Sequence, residues 1–96
     1  SETDLKEGIA LQISQAYLSL GEAELRLETS AAMLEAAEEA YRMADIGFKE
    51  GVTAAIDLID AEHALTQARL NRAKSKFDYE TAKAKLAAAC GLTGLE

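Results

Sequence analysis

The feature that most narrows what this chain can fold into is a heptad alternation of large and small side chains that runs twice, on either side of one glycine-bracketed break. Ile13, Leu20, Leu27, Leu34 and Tyr41 recur at that spacing, and Ala16, Ala23, Ser30, Ala37 and Ala44 follow three places behind them. After the break the scheme returns as Leu58, Leu65, Tyr79 and Leu86 against Ala61, Ala68, Ser75, Ala82 and Ala89, with Arg72 standing in the large series. A repeat of this period keeps one stripe of a helix facing a partner over many turns. Pairing bulky with small lets two antiparallel helices approach closely, each large side chain filling space beside a small one opposite.

Nothing between these positions breaks a helix: the chain has no proline, and it is rich in Ala, Leu, Glu and Lys, all strong helix formers. Asp4 followed by Glu7 resembles a capping box, which predicts a first helix from near Leu5 to about Ile46. Gly47 and Gly51 then bracket a tip over 47–53, where Thr53 is expected to cap the second helix and Asp57 to sit at its positive end. The second helix is predicted from about Ala54 to Cys90, with Gly91 and Gly94 as left-handed stop positions. Rods of roughly 55–65 Å joined by a short turn pack antiparallel. The predicted fold is all-α, a single long antiparallel helical hairpin of coiled-coil type spanning residues 1–96.

A second apolar stripe lies about 150° round each helix from the first. In the second helix it holds Ile56, His63, Leu70, Ala73, Phe77 and Ala84. In the first it holds Leu11, Leu18, Leu25 and Ala32, then drifts to Met33, Ala36, Ala40 and Met43. One hairpin cannot bury both stripes, so each helix is expected to have a neighbour on either side, as in a wall or cylinder of helices. The strips between them are polar, Asp57, Asp60, Gln67, Asn71, Lys74 and Asp78 on one and Glu62, Arg69, Lys76 and Lys83 on the other. Both broad faces of such a wall would meet water. Arg72, inside the main seam, is expected to reach out to water or to pair with Glu24 or Glu28 across the seam. Gly8 and Gly21 weaken the first helix by about 1 kcal/mol each relative to Ala, which suggests close packing or a bend there.

Composition removes several function classes. A formal charge of −7 argues against nucleic acid, which is bound by clustered Lys and Arg. No apolar run approaches the roughly 20 residues needed to span a bilayer, and Ser1-Glu2-Thr3-Asp4 has no basic-then-apolar signal character, so a soluble piece without direct membrane insertion is expected. No cluster of His, Cys or paired carboxylates converges as an active site would require, so no enzyme activity, cofactor or metal is expected. His63 lacks ligand partners at metal-binding spacing and Cys90 lacks a neighbouring base, which leaves both as packing residues.

The stretch from Ala40 through Gly47-Phe48-Lys49-Glu50-Gly51-Val52-Thr53 to Asp57-Leu58-Ile59-Asp60-Ala61-Glu62 resembles the turn of the TolC-like outer membrane efflux family. That family shows an aromatic residue, two variable residues, a glycine, a small apolar pair and an Asp-Val-Leu-Asp-Ala-like helix start. Phe48, Gly51, Val52, Asp57, Leu58, Asp60 and Ala61 fill those places, while Gly47 departs from it, standing where many members carry Arg. The likeness continues along the returning helix through Leu65, Ala68, Ala73, Tyr79, Ala82 and Leu86.

The resemblance implies a fragment of the periplasmic helical tube of a trimeric outer membrane channel, without the family's β-strands. It implies a homotrimer in the full-length protein, a periplasmic adaptor (membrane fusion) protein as direct partner and an inner membrane pump as indirect partner. The contact turn would be Phe48, Lys49, Glu50, Gly51, Val52 and Thr53. Asp57 and Asp60 are candidate pore or tip charges, although carboxylates in a first helical turn are favoured by the helix dipole regardless of function. The competing reading is a stand-alone dimerisation module in which two hairpins form a four-helix bundle. Outside a trimer the second stripe is expected to drive self-association.

Overall fold

The computed structural model describes residues 2–93. Two helices form one hairpin, α1 over Glu2–Lys49 and α2 over Ala55–Thr93. Its extents of 73 × 19 × 14 Å are those of a plank two helices wide and one helix thick. The Cα radius of gyration is 21.1 Å, against about 12.5 Å for a compact domain of this length. Accessible surface reaches 7032 Å², well above the roughly 5,400 Å² of a compact monomer of equal mass. The shape follows from the repeat: a heptad stripe carried along both rods rewards side-by-side contact over their full length and offers nothing to a third layer.

The core is the predicted seam. Every residue of the large and small series on both helices is buried or half-buried, whereas nearly all their neighbours are exposed. Ala23 is 1% and Leu65 5% exposed, with Ala68, Ala82 and Ser30 close behind. No large side chain is completely buried among the described residues, because one stripe of a two-helix plank always has a rim open to water.

Both helices outrun their predicted bounds. α1 begins at Glu2, so Asp4 lies inside the first turn, where a carboxylate still favours the helix N-terminus. It continues through Gly47 to Lys49, and α2 passes through Gly91 to Thr93. Glycine in a helix costs only about 1 kcal/mol, too little by itself to stop either helix at Gly47 or Gly91. Gly94 lies outside the described residues. A Cβ added at Gly8 or Gly21 would meet nothing within 4 Å, so the hairpin itself makes no close approach at either position.

The expected pairing of Arg72 with Glu24 or Glu28 is absent. The described ion pairs, Glu39–Arg42, Asp45–Lys49 and Glu80–Lys83, all lie within one helix. Nη1 of Arg72 is instead buried without a hydrogen-bond partner, a situation that costs about 1–3 kcal/mol in general.

Candidate functional site

The tip is built by a helix C-terminus that folds its orphan carbonyls inward. Gly51 adopts φ +81°, the left-handed region that only glycine enters freely. Its N–H donates to the Phe48 carbonyl at 3.1 Å, and the Val52 N–H donates to the Gly47 carbonyl at 2.8 Å. These two bonds, with Gly51 first after the helix end, are the pair that defines a Schellman motif. The Thr53 N–H adds a second bond to the Gly47 carbonyl at 3.0 Å. Such motifs usually bring the residue in Val52's place against the side chain in Gly47's place. Gly47 has no side chain to offer, and Val52 is left 80% exposed.

Gly47 is bare for a reason. A Cβ there would overlap the Thr53 hydroxyl and stand 3.1 Å from the Thr53 Cβ. No arginine fits at this position with Thr53 where it is. Thr53 is therefore turned inward and half-buried rather than capping α2. The Ala54 carbonyl accepts the first bonds of α2, from the N–H groups of Asp57 at 3.1 Å and Leu58 at 3.3 Å, which makes Ala54 the cap residue. The rest of the predicted tip faces outward. Phe48 is 44% exposed, Glu50 is exposed, and Lys49 pairs with Asp45 at 3.1 Å across the last turn of α1.

Three apolar residues near the tip extend the surface beyond the predicted turn: Ile46, Ile56 and Ile59, at 42%, 63% and 57% exposure. Ile56 belongs to the second stripe. The other two were readable by extrapolation, since Ile46 continues the heptad line of Leu11, Leu18 and Leu25, and Ile59 sits two heptads before Ala73.

The second stripe is exposed from end to end on both helices. Leu11, Leu18 and Leu25 on α1 and Leu70 and Phe77 on α2 are each about three-fifths exposed or more. The plank thus carries an apolar edge along each long side, facing away from the seam along α2 and the base half of α1 and turning toward one broad face in the tip half of α1, where Met33 and Ala40 share the heptad line of Ser19 and Arg26. His63 lies on the α2 edge and is exposed, so it does not pack within the hairpin.

The two broad faces differ in charge. Ser19 and Arg26 of α1 share a shallow groove with Asp78, Thr81 and Lys85 of α2, which places those strips on one side. Asp57 and Asp60 continue the same α2 strips toward the tip, and both are exposed. They are brought near the turn but not to its apex. Glu24, Glu28, Glu35 and Glu38 of α1 lie on the opposite side with Arg69, Lys76 and Lys83 of α2, an acidic strip beside a basic one.

Among the described residues one carboxylate is clearly perturbed. The Arg42 guanidinium donates to both Glu39 oxygens, at 3.0 Å and 2.6 Å, and those hydrogen bonds hold the Glu39 carboxyl below its ordinary value while raising Arg42. Among the described residues no group of three or more His, Cys, Asp or Glu is placed to hold a metal ion, and no helix is long and apolar enough to cross a membrane. The arrangement offers surfaces rather than a pocket: an apex with an unsupported valine, two apolar edges and two wet faces.

No curated protein and no solved structure matches the chain. The family model for outer membrane efflux proteins matches residues 8–92, which takes in the tip and nearly the whole length of both rods. Hairpin, tip and family match agree, and the chain belongs to the outer membrane efflux protein family.

Proposed function

We propose that this hairpin is one plank in the wall of a periplasmic helical tube, part of a trimeric outer membrane efflux channel, and that its apex docks a periplasmic adaptor protein. The observation that carries the wall reading is the pair of exposed apolar edges on opposite long sides of a plank whose broad faces are polar. Edges of this kind are covered when planks stand side by side, while both faces remain in water, as a water-filled tube in an aqueous compartment needs. The adaptor in turn links the tube to an inner membrane pump. Asp57 and Asp60 then stand at the tip end of the tube wall as candidate pore charges.

The tip reading rests on Val52. An apolar side chain held 80% exposed by a fixed turn gives a partner a rigid contact at little ordering cost, and the glycine before it leaves room for another backbone. Gly51 is a poor position for a test, because any L side chain at φ +81° strains the turn itself. Val52→Asp changes only the exposed contact.

The measurement is binding of this hairpin to the periplasmic adaptor of the same organism, with helicity followed by circular dichroism. Binding by the native chain that Val52→Asp abolishes at unchanged helicity supports docking at the apex. Binding that neither Val52→Asp nor Phe48→Ala weakens moves the contact away from the tip. No binding by any form, even when the hairpin is trimerised artificially, would leave a dimerisation module whose edges close into a four-helix bundle.

A further inference from the structure

Midway along the plank the seam loses its apolar character. Ser30 is 6% exposed, and its hydroxyl donates to the Leu27 carbonyl at 2.9 Å, a back-bond within one turn that tends to bend a helix. Ser75 faces it across a shallow groove they share with Asn71. Arg72, the next residue, occupies a place that the repeat gives to a large apolar side chain, and its Nη1 is buried without a partner. At the same level the outer stripe of α1 changes course. Leu11, Leu18 and Leu25 share one heptad line, whereas Met33, Ala36, Ala40 and Met43 lie about 50–100° further round the helix.

We propose that the Ser30–Arg72–Ser75 layer is an opening point built into the seam, which separates the hairpin into a tip half and a base half that move independently. In the closed seam the guanidinium has one nitrogen without a partner. Local opening exposes that nitrogen to water, which supplies the acceptor it lacks in the closed seam. Opening therefore returns hydrogen bonds to Arg72, whereas at the other seam layers it only uncovers apolar surface. A layer on each side of it, Leu20 and Ala23 with Ala82 and Leu86 toward the base, Ala37 and Tyr41 with Ala61 and Leu65 toward the tip, has no buried side-chain nitrogen or oxygen left without a partner.

Amide hydrogen exchange by mass spectrometry on this chain reads the opening directly. Peptides spanning 27–34 and 68–76 should exchange at least tenfold faster than those of both flanking layers. Arg72→Leu, which restores the large series, should slow the middle layer by tenfold or more and change the flanks by less than threefold. Ser30→Ala, which keeps Arg72, should slow it by a smaller factor. A profile in which the middle layer is as protected as its flanks overturns the proposal. So does an Arg72→Leu variant that slows all layers equally, because Arg72 would then be a general cost to stability rather than a local opening. Neither readout involves an adaptor or a trimer, so the outcome is independent of the tube-wall reading.

Discussion

Filling the space above Gly47 tests the account of the tip most directly. In Gly47→Ala the new Cβ overlaps the Thr53 hydroxyl and meets the Thr53 Cβ at 3.1 Å. Overpacking of this kind costs about 1–3 kcal/mol. Against it stands the gain of about 1 kcal/mol that alanine brings to a helical position, so the single variant should be destabilised by roughly 0–2 kcal/mol. Removing the hydroxyl and methyl in Thr53→Ala takes away the overlap and leaves a Cβ contact that yields with a few tenths of an ångström of movement. In that background Gly47→Ala should lose most of its cost, giving a coupling of about 1–2 kcal/mol between the two sites. Thermal and urea melts of the four chains, followed by circular dichroism at one fixed concentration, measure it. About 1 kcal/mol corresponds to about 4–8 °C for a domain of this size. Effects that add to within about 0.5 kcal/mol would refute the claim that Thr53 is what keeps residue 47 a glycine.

Other outcomes follow from the same structure. Gly21→Ala, placed where an added Cβ meets nothing within 4 Å, should stabilise α1 by about 0.5–1 kcal/mol; a loss of stability in the melt would show a contact at Gly21 that the hairpin alone does not make. The paired edge variants Leu18→Glu and Phe77→Glu should shift this chain from self-associated to monomeric in analytical ultracentrifugation without loss of helicity, since both side chains are exposed on the edges; a native chain that stays monomeric at high concentration counts against the two-edge argument. Glu39 should titrate below an ordinary glutamate by NMR and return toward the usual value in Arg42→Ala. Because its folded value is depressed, whatever stability the pair contributes is fully present above the unfolded carboxylate value and is lost as pH falls through the folded one.

The local plan of this chain was legible in its sequence because helix formation and heptad pairing depend on near neighbours and on spacing. The absence of proline, the two alternating series and the glycine-bracketed break determined two rods, one turn, the seam and the edge opposite it, and all of the seam positions from Ile13 to Ala89 lie where the spacing puts them. What only the tertiary structure decided are the features that require two distant segments to meet. Thr53 turns inward because Gly47, on the other side of the turn, leaves it the space, so Ala54 takes the cap and Val52 is left outside. Arg72 makes no ion pair with Glu24 or Glu28 and keeps Nη1 buried without a partner, an outcome set by how the two helices meet and not by the spacing of charges along either one. Both helices also run past the predicted stops at Gly47 and Gly91, since a glycine within a helix costs only about 1 kcal/mol.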